Sequence, residues 1–459
     1  MKIVFIKVNM MYSKGKDALK PLIFPIIEKL TPDDCDIIFY DERIESLPDD
    51  IDADVIAFSV ETFAARHAYE LAEKYRKPGT VIAMGGFHAS AMPDEVLEHA
   101  DTVLIGDAED TWGAFLSDVK NGCVRDRYES GNRCPIPCVD NNAHCFEGKR
   151  YLKLGMVQAS RGCKFNCDFC SIKSLYPAGV RQKDIDDVIR EIKNSRERII
   201  FFIDDNLFVN KETASKLFKE LRPLKKRWAC QISMDIAFDD ELLTLMHDSG
   251  CIMVLIGFES IDEKNLELMR KSANLKVMHD GIGGTKEHEE NESGEPGLNL
   301  RHYEQAIANI YEHGIMIYGM FVLGYEHDTA SSIRKTYEFA MRNNLAVANF
   351  NPLMILPGTS LYERMKEEGG MRFEKWWLDS GYRYGDAMFY PRMMTCDELT
   401  QGCKKARYDF NSPANIFRRM FGVKVNHHGI FNSVVFLLIN FISRSEIHRK
   451  QGEKLGSTT

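Results

Sequence analysis

Cys163-Lys-Phe-Asn-Cys167-Asp-Phe-Cys170 places three thiols on one short loop, in the spacing C-x3-C-x2-C. Each thiolate can bind one iron of a [4Fe–4S] cube. The fourth iron is then left without a protein ligand and open to chemistry. The loop follows the strand-like run Lys153–Ala159 and the turn Arg161-Gly162, and a βα series continues beyond it. Zinc is the other reading of such thiols. A structural zinc site takes four protein ligands, so Cys134, Cys138 or Cys145 would have to supply the fourth.

Working outward, the runs Ile199–Asp204, Trp228–Met234, Met253–Gly257, Ile315–Leu323 and Ala348–Leu353 read as further strands. Helical periodicity lies between them, as in Asp184–Asn194, Lys211–Leu221 and Glu241–Ser249. Six βα units predict a partial TIM-type (β/α)6 barrel over 151–370, with chemistry at the C-terminal ends of its strands. Gly281–Leu300 breaks the pattern with five glutamates between Glu287 and Glu295 and reads as a flexible insertion.

Upstream, Ile3–Val8, Cys35–Tyr40, Val55–Ser59, Val81–Gly85 and Thr102–Gly106 alternate with helical segments such as Ala64–Arg76 and Pro93–His99. This predicts a doubly wound, Rossmann-like parallel sheet over 1–120. Ligands of such sheets bind beyond the strand C-termini. Here those ends read Ser59-Val-Glu-Thr62, Gly85-Gly86-Phe87-His88 and Gly106-Asp-Ala-Glu109. Residues 121–150, rich in Gly, Pro, Asn and Cys, read as a linker.

The chain has 459 residues, 44% of them hydrophobic, and a net charge of −9, which gives no reason to expect a nucleic-acid partner. Twelve cysteines over this length are too dilute for a disulfide scaffold and suit a reducing cytoplasm. Met1-Lys-Ile-Val-Phe-Ile-Lys-Val reads as a strand, not a signal peptide. No run is read as long enough to span a bilayer. The extension 371–459 reads as mostly helical, and from Cys396 to the end it carries ten Lys or Arg against five Asp or Glu. Within it Ile430–Ile442 is nearly all apolar. Two readings of that run stay open: packing on the barrel, or rest on an anionic membrane surface.

Over 151–370 these motifs resemble the radical S-adenosylmethionine (SAM) enzymes. The resemblance implies cluster ligation by Cys163, Cys167 and Cys170, and an adenine beside the backbone of Phe169. Ile203-Asp204-Asp205-Asn206 stands where the family often has Gly-Gly-Glu for the methionine ammonium. Gly257-Phe-Glu259-Ser260, Gly319-Met-Phe-Val-Leu-Gly324-Tyr-Glu326 and Pro357-Gly-Thr359 follow in order. They imply SAM contacts from Asp204, Asp205, Glu259, Ser260 and Gly324. The first half resembles the cobalamin-binding domain of radical SAM methylases, implying contacts from Ser59, Thr62, Gly85, Gly86, His88, Gly106 and Glu109. One departure stands out: Asn9-Met-Met-Tyr12 replaces the Asp-x-His-x-x-Gly loop that supplies a cobalt ligand elsewhere. His88 then reads either as that ligand or as a loop histidine.

Phe39-Tyr-Asp-Glu42, Trp228-Ala-Cys-Gln231 and the run Gly250 to Ser260 are most like the hopanoid C-2 methylase and the bacteriochlorophyllide ring methylases. The likeness implies a methyltransferase with a [4Fe–4S] cluster, SAM and cobalamin, acting on an unactivated carbon of an apolar polycycle. It implies an electron donor of the flavodoxin or ferredoxin type in a cytoplasmic enzyme, and the second reading of Ile430–Ile442 would add a peripheral membrane contact through the tail. Ring closure or oxidation with the same cofactors, and a non-catalytic cobalamin or SAM sensor, are the rival readings. A methylthiotransferase would need a second cysteine set in the first domain, where only Cys35 stands before the linker.

Overall fold

In the computed structural model of the chain, residues 1–11, 13–15, 17–131, 133–177, 179–208, 210–280 and 300–456 are described. The expected insertion, apart from Leu300, and Tyr12 of the departing loop lie outside them.

Six parallel strands build the first sheet: β1 (Lys2–Lys7), β2 (Asp36–Asp41), β3 (Val55–Ser59), β4 (Val81–Gly85), β5 (Thr102–Ile105) and β6 (Arg127–Glu129). Their order is β2-β1-β3-β4-β5-β6. β1 is buried from Ile3 through Lys7, as a central strand covered by helices on both faces must be. The order reverses between β1 and β3, and the crevice beyond the strand ends at such a point is where doubly wound folds bind ligands. β6 lies in the span expected as a linker. It is three residues long, with Tyr128 turned inward between exposed Arg127 and Glu129, too short for its alternation to be read.

The second sheet is also parallel, in the order β14-β13-β12-β11-β10-β7. Its strands are β7 (Gly155–Val157), β10 (Ile199–Phe202), β11 (Arg227–Ile232), β12 (Cys251–Glu259), β13 (Met316–Leu323) and β14 (Val347–Pro352). β7 is shorter than the expected Lys153–Ala159, because the chain bends at Ser160 into a two-residue antiparallel pair. That pair joins β8 (Ser160–Arg161) to β9 (Arg181–Gln182) and closes the base of the cysteine loop. β12 is longer than expected and changes register against β13 between Gly257 and Glu259. The bulge re-aims Glu259, whose φ of 59° is unusual for a residue with a side chain.

The two sheets meet through the helix Ile23–Leu30. Leu22 and Ile26 share a buried cluster with Met156 of β7 and Val139, and Phe201 and Ile203 pack against it. The extension then wraps back over both halves. Trp376 and Trp377 are fully buried, and the Trp377 indole donates to Glu95 in the first domain at 2.8 Å. The tail ends in three helices, Cys396–Phe410, Pro413–Gly422 and Gly429–Lys450. The last corrects the reading that nothing is long enough to span a bilayer. The thirteen-residue apolar run continues helically through Ser443–Lys450, giving 22 residues that suffice by length and composition. Polar residues at its C-terminal end hid that length in the sequence.

Candidate functional site

The cysteine loop is fixed at its N-terminal end by two carboxylates from the end of the second barrel strand. Asp204 accepts from the Ala159 N–H at 3.1 Å, the Ser160 hydroxyl at 2.6 Å and the Ser160 N–H. Burial pushes its carboxyl up to about 6, against the hydrogen bonds that favour the charged form. Asp205 accepts from the Gly162 N–H at 2.9 Å. Gly162 has φ of 94°, and a Cβ there would lie 2.6 Å from the Gly179 carbonyl oxygen, so only glycine fits the turn.

Asp168, between the second and third cysteines, ties the loop to the rest of the barrel mouth. Its N–H donates to the Met269 carbonyl at 3.2 Å and its own carbonyl accepts from Leu361 at 3.1 Å. Its carboxylate takes the Tyr325 hydroxyl and, at 3.1 Å, the Arg364 guanidinium. Phe169 packs against the central apolar core. Cys163, Cys167 and Cys170 are free thiols of intermediate exposure. Cys167 is pushed up to about 12, chiefly by burial, with Cys170 and Cys163 adding to it. Three neighbouring thiols on one anchored, strand-terminal loop are a donor set that fits three irons of a cube.

The remaining SAM candidates gather at the same end of the barrel, with partners of their own. Glu259 pairs with Lys271 at 2.8 Å. Ser260 accepts from the Asp262 N–H at 3.0 Å, and Gly324, with φ of 96°, donates to Asp328 at 2.9 Å. Lys271 escaped the sequence reading. Although burial works against its charge, Glu259, Cys167 and Cys170 hold its pKa up, which puts an ammonium beside the thiols. Arg270-Lys271 follows a helix like any solvated basic pair, so nothing in the sequence flagged it.

A cleft of about 290 Å³ opens beyond the first sheet, between the two halves. Ser59, Gly85, Gly86, Gly106 and Glu109 line it, and Phe5, Ala57 and Trp112 form its apolar depth. Gly86 has φ of 101°, and a Cβ there would meet the Val60 carbonyl oxygen at 2.7 Å. This glycine-walled crevice with an apolar floor suits a broad flat ligand approached by backbone.

Two candidates lie elsewhere. Thr62 is buried and its hydroxyl has no hydrogen-bond partner among the described residues. His88 is fully buried, with Nε2 2.9 Å from the Tyr69 hydroxyl and 3.2 Å from Glu95. Burial works to raise the Glu95 carboxyl, but bonds from His88, Lys375, Trp377 and Tyr69 outweigh it and hold it down at about 2. His88 is thereby part of a polar core, and no histidine lines the cleft among the described residues.

The barrel-side wall of the cleft was also missed. Gln158, Arg161 and Tyr176 form it. Buried Arg161 pairs with Asp107 at 2.8 Å and Glu109 at 3.1 Å, and Arg181 also reaches Asp107. Arg161 stands two positions before Cys163, so the cleft and the cysteine loop share a wall. In sequence, Arg161-Gly162 announced only a turn.

Residues 157–340 match the Radical SAM superfamily and residues 29–116 the B12 binding domain. The chain is 27% identical over 431 residues to bacteriochlorophyllide d C-12(1)-methyltransferase of Chlorobaculum tepidum, covering 91% of this chain and 88% of that protein. It is 26% identical over 365 residues to the hopanoid C-2 methylase of Rhodopseudomonas palustris, covering 75% and 64%. The fold is that of the radical SAM methyltransferase TsrM from Kitasatospora setae, solved with cobalamin and a [4Fe-4S] cluster. The TM-score is 0.62 at 14% identity, over 98% of both chains. Fold and site together define a radical SAM enzyme with a B12-binding domain. The relatives named here are methyltransferases, and the cofactors that the two matched domains imply are a [4Fe–4S] cluster, SAM and cobalamin.

Proposed function

We propose that the chain methylates an unactivated carbon of an apolar polycyclic substrate, lipid- or tetrapyrrole-like. The observation that carries this is the barrel interior. Along β13, Ile317, Gly319, Phe321 and Leu323 are buried beneath helices, while Tyr318, Met320 and Val322 are half-buried on the opposite phase. Phe201 and Ile203 continue that phase on the other side of the barrel. Gln231, Asn349 and Asn351 share that phase, and Asn349 donates to the Tyr318 hydroxyl, so the half-exposed interior is a largely apolar wall with a few polar groups, the composition of a site for an organic guest. The relatives named above for a bacteriochlorophyllide and a hopanoid support the same class.

In this reading Cys163, Cys167 and Cys170 hold three irons. Asp205, Glu259 and Phe169 take the amino-acid, ribose and adenine parts of SAM, with Lys271 balancing the carboxylates. Asp204, Ser260 and Gly324 carry the loops behind them. Ser59, Gly85, Gly86, Gly106 and Glu109 cradle the corrin. When bound, the cofactors supply the radical that removes a substrate hydrogen and the methyl group that replaces it. The apolar walls exclude water from that exchange. Electrons come from a flavodoxin- or ferredoxin-type donor in a reducing cytoplasm, and the tail makes a peripheral membrane contact.

A second reading has its own observation. The chain is 23% identical over 383 residues to the anaerobic magnesium-protoporphyrin IX monomethyl ester cyclase of Rubrivivax gelatinosus, covering 72% of this chain and 63% of that protein. Anaerobic turnover of apolar cell extracts with reductant separates the two. Methyl transfer is expected to give S-adenosylhomocysteine and 5′-deoxyadenosine in equal amounts, with one extract component heavier by a methyl group. 5′-Deoxyadenosine alone would replace this reading with ring closure or oxidation.

The cleft also predicts the cobalt environment. Bound Co(II) cobalamin is expected to show no nitrogen splitting from a protein ligand in its electron paramagnetic resonance spectrum. A single-nitrogen splitting that disappears in His88→Ala would overturn this.

A further inference from the structure

The helices Pro413–Gly422 and Gly429–Lys450 close the N-terminal end of the barrel, opposite the cysteine loop. Ile416, Met420 and Phe436 are buried against Ile252 and Met253 of β12, Met316 of β13, and Ala346. Arg419, fully buried, rivets the two helices to the sheet. It donates to the carbonyls of Leu345 at 2.9 Å, Ala346 at 2.7 Å and Phe410 at 2.9 Å, and to Asn440 Oδ1 at 3.0 Å. Asn440 in turn donates to the Ala346 carbonyl at 3.0 Å.

The other face of the same helices is bare. Seven of the twelve exposed large hydrophobic residues of the described chain fall between Phe417 and Phe441. Phe417 and Phe421 are one turn apart on the first helix. Ile430, Val434, Leu438 and Phe441 form a stripe on the second, with Phe431 beside them. Ile430 is 86% exposed and Phe421 67%. Such a contiguous patch marks an interaction surface.

Its charge says which kind. From Phe410 to Ser445 the sequence contains no Asp or Glu, in a chain with 68 of them. Arg418 and Lys424 are exposed, and exposed Arg227 at the start of β11 lies with its guanidinium 5.6 Å from the Phe431 ring centroid. Arg198, also exposed, adjoins Arg227 on the next strand.

We propose that this face docks the enzyme on an anionic lipid bilayer, with both helices lying in the interfacial plane. Two rivals fit less well. The last helix is long enough to span, and only 17% of its most apolar stretch is buried. To span, however, it would have to leave the sheet, strip Asn440 and Arg419 of their buried partners and carry Asn440 near the bilayer centre. A symmetric dimer would press the same basic, carboxylate-free rim against itself. A bilayer offers hydrocarbon to the stripe and anionic headgroups to the rim.

Docking deepens the apolar-substrate reading, because a bilayer is where such substrates dissolve. Vesicle binding needs no turnover, so its failure and the failure of that reading are separate results. Full-length holoenzyme is floated with phosphatidylcholine vesicles, with and without phosphatidylserine, at low and high salt. The wild type is expected to float with anionic vesicles and to be released by salt. Phe421→Ser with Leu438→Ser should cut flotation at least tenfold, and Arg418→Glu with Lys424→Glu should remove the anionic preference. All four positions are exposed, so cobalamin and iron contents should stay at wild-type levels. No flotation at low salt, or flotation indifferent to both pairs, would overturn the proposal. So would resistance to alkaline extraction, which means spanning. A lipid-free dimer lost in Phe421→Ser with Leu438→Ser would give the face to a second copy instead.

Discussion

Replacing Cys163, Cys167 or Cys170 singly with Ala is expected to abolish SAM cleavage. Iron should fall from about four per chain, the content of one cube, to a small residue. The loop offers nothing to substitute for a lost thiol. Asp168, the only carboxylate within it, is committed to Tyr325 and Arg364. Asp205 holds the Gly162 N–H outside the loop and, in the proposed reading, the amino-acid part of SAM. The loop backbone is held independently of the thiols, by Asp204, Asp205 and Asp168, so each variant should fold and retain cobalamin. That makes the loss specific to the cluster. Cys35, Cys251 and Cys403 are buried and lie in other parts of the fold than the loop. Their substitution by Ser should leave the iron content unchanged. Iron analysis after anaerobic purification, together with counting 5′-deoxyadenosine, decides the matter. Full activity in Cys167→Ala would remove the cysteine loop from the chemistry.

Most of the fold was legible because it rests on long-wavelength patterns. Val55–Ser59 and Val81–Gly85 are buried parallel strands, and their apolar runs end at the loops that line the cleft. The cysteine spacing marks the mouth of the barrel. What escaped depends on three-dimensional partners. Gly85-Gly86-Phe87-His88 was read as one binding loop, yet it splits. The glycines face the cleft, while His88 begins a helix turn that buries it beside Tyr69 and Glu95. A loop's sequence does not say on which side of a turn each residue emerges. Asp204-Asp205 reads in sequence as a place for an ammonium, and the fold adds a second task, since both carboxylates also satisfy backbone N–H groups around the bend at Ser160. Buried backbone donors need partners as much as ligands do, and sequence alone cannot rank the two demands. The tail shows the same limit at larger scale. Its apolar run is plain, but which face of the helix meets the barrel is set by Arg419 and Asn440, whose buried partners only the folded chain brings together.

Arg161→Leu should damage both cofactor sites at once. The guanidinium is the only described cation paired with Glu109, while Asp107 keeps Arg181 as a second partner. The side chains of Arg161, Asp107 and Glu109 are only 7%, 5% and 8% exposed, so water cannot replace the lost charge. Removing one member of a buried pair costs about 3–5 kcal/mol, chiefly through the charge left behind. Against a total stability of about 5–15 kcal/mol, that is a large fraction. The damage should spread in both directions. Glu109 and Asp107 line the cleft, so cobalamin retention falls. Arg161 also precedes Gly162 and the cysteines, so iron content falls with it. Glu109→Gln removes the opposite partner without leaving a bare carboxylate, and should weaken cobalamin retention while sparing the iron. Combining the two substitutions is expected to restore part of the stability lost in Arg161→Leu, since the stranded charge is then gone. Chemical denaturation of the four proteins, with cobalt and iron analysis of each, measures all three effects. If Arg161→Leu keeps wild-type stability and both cofactor contents, the shared wall holds nothing together. If the iron stays while cobalamin alone is lost, Arg161 serves the cleft and the loop stands on Asp204, Asp205 and Asp168 by themselves.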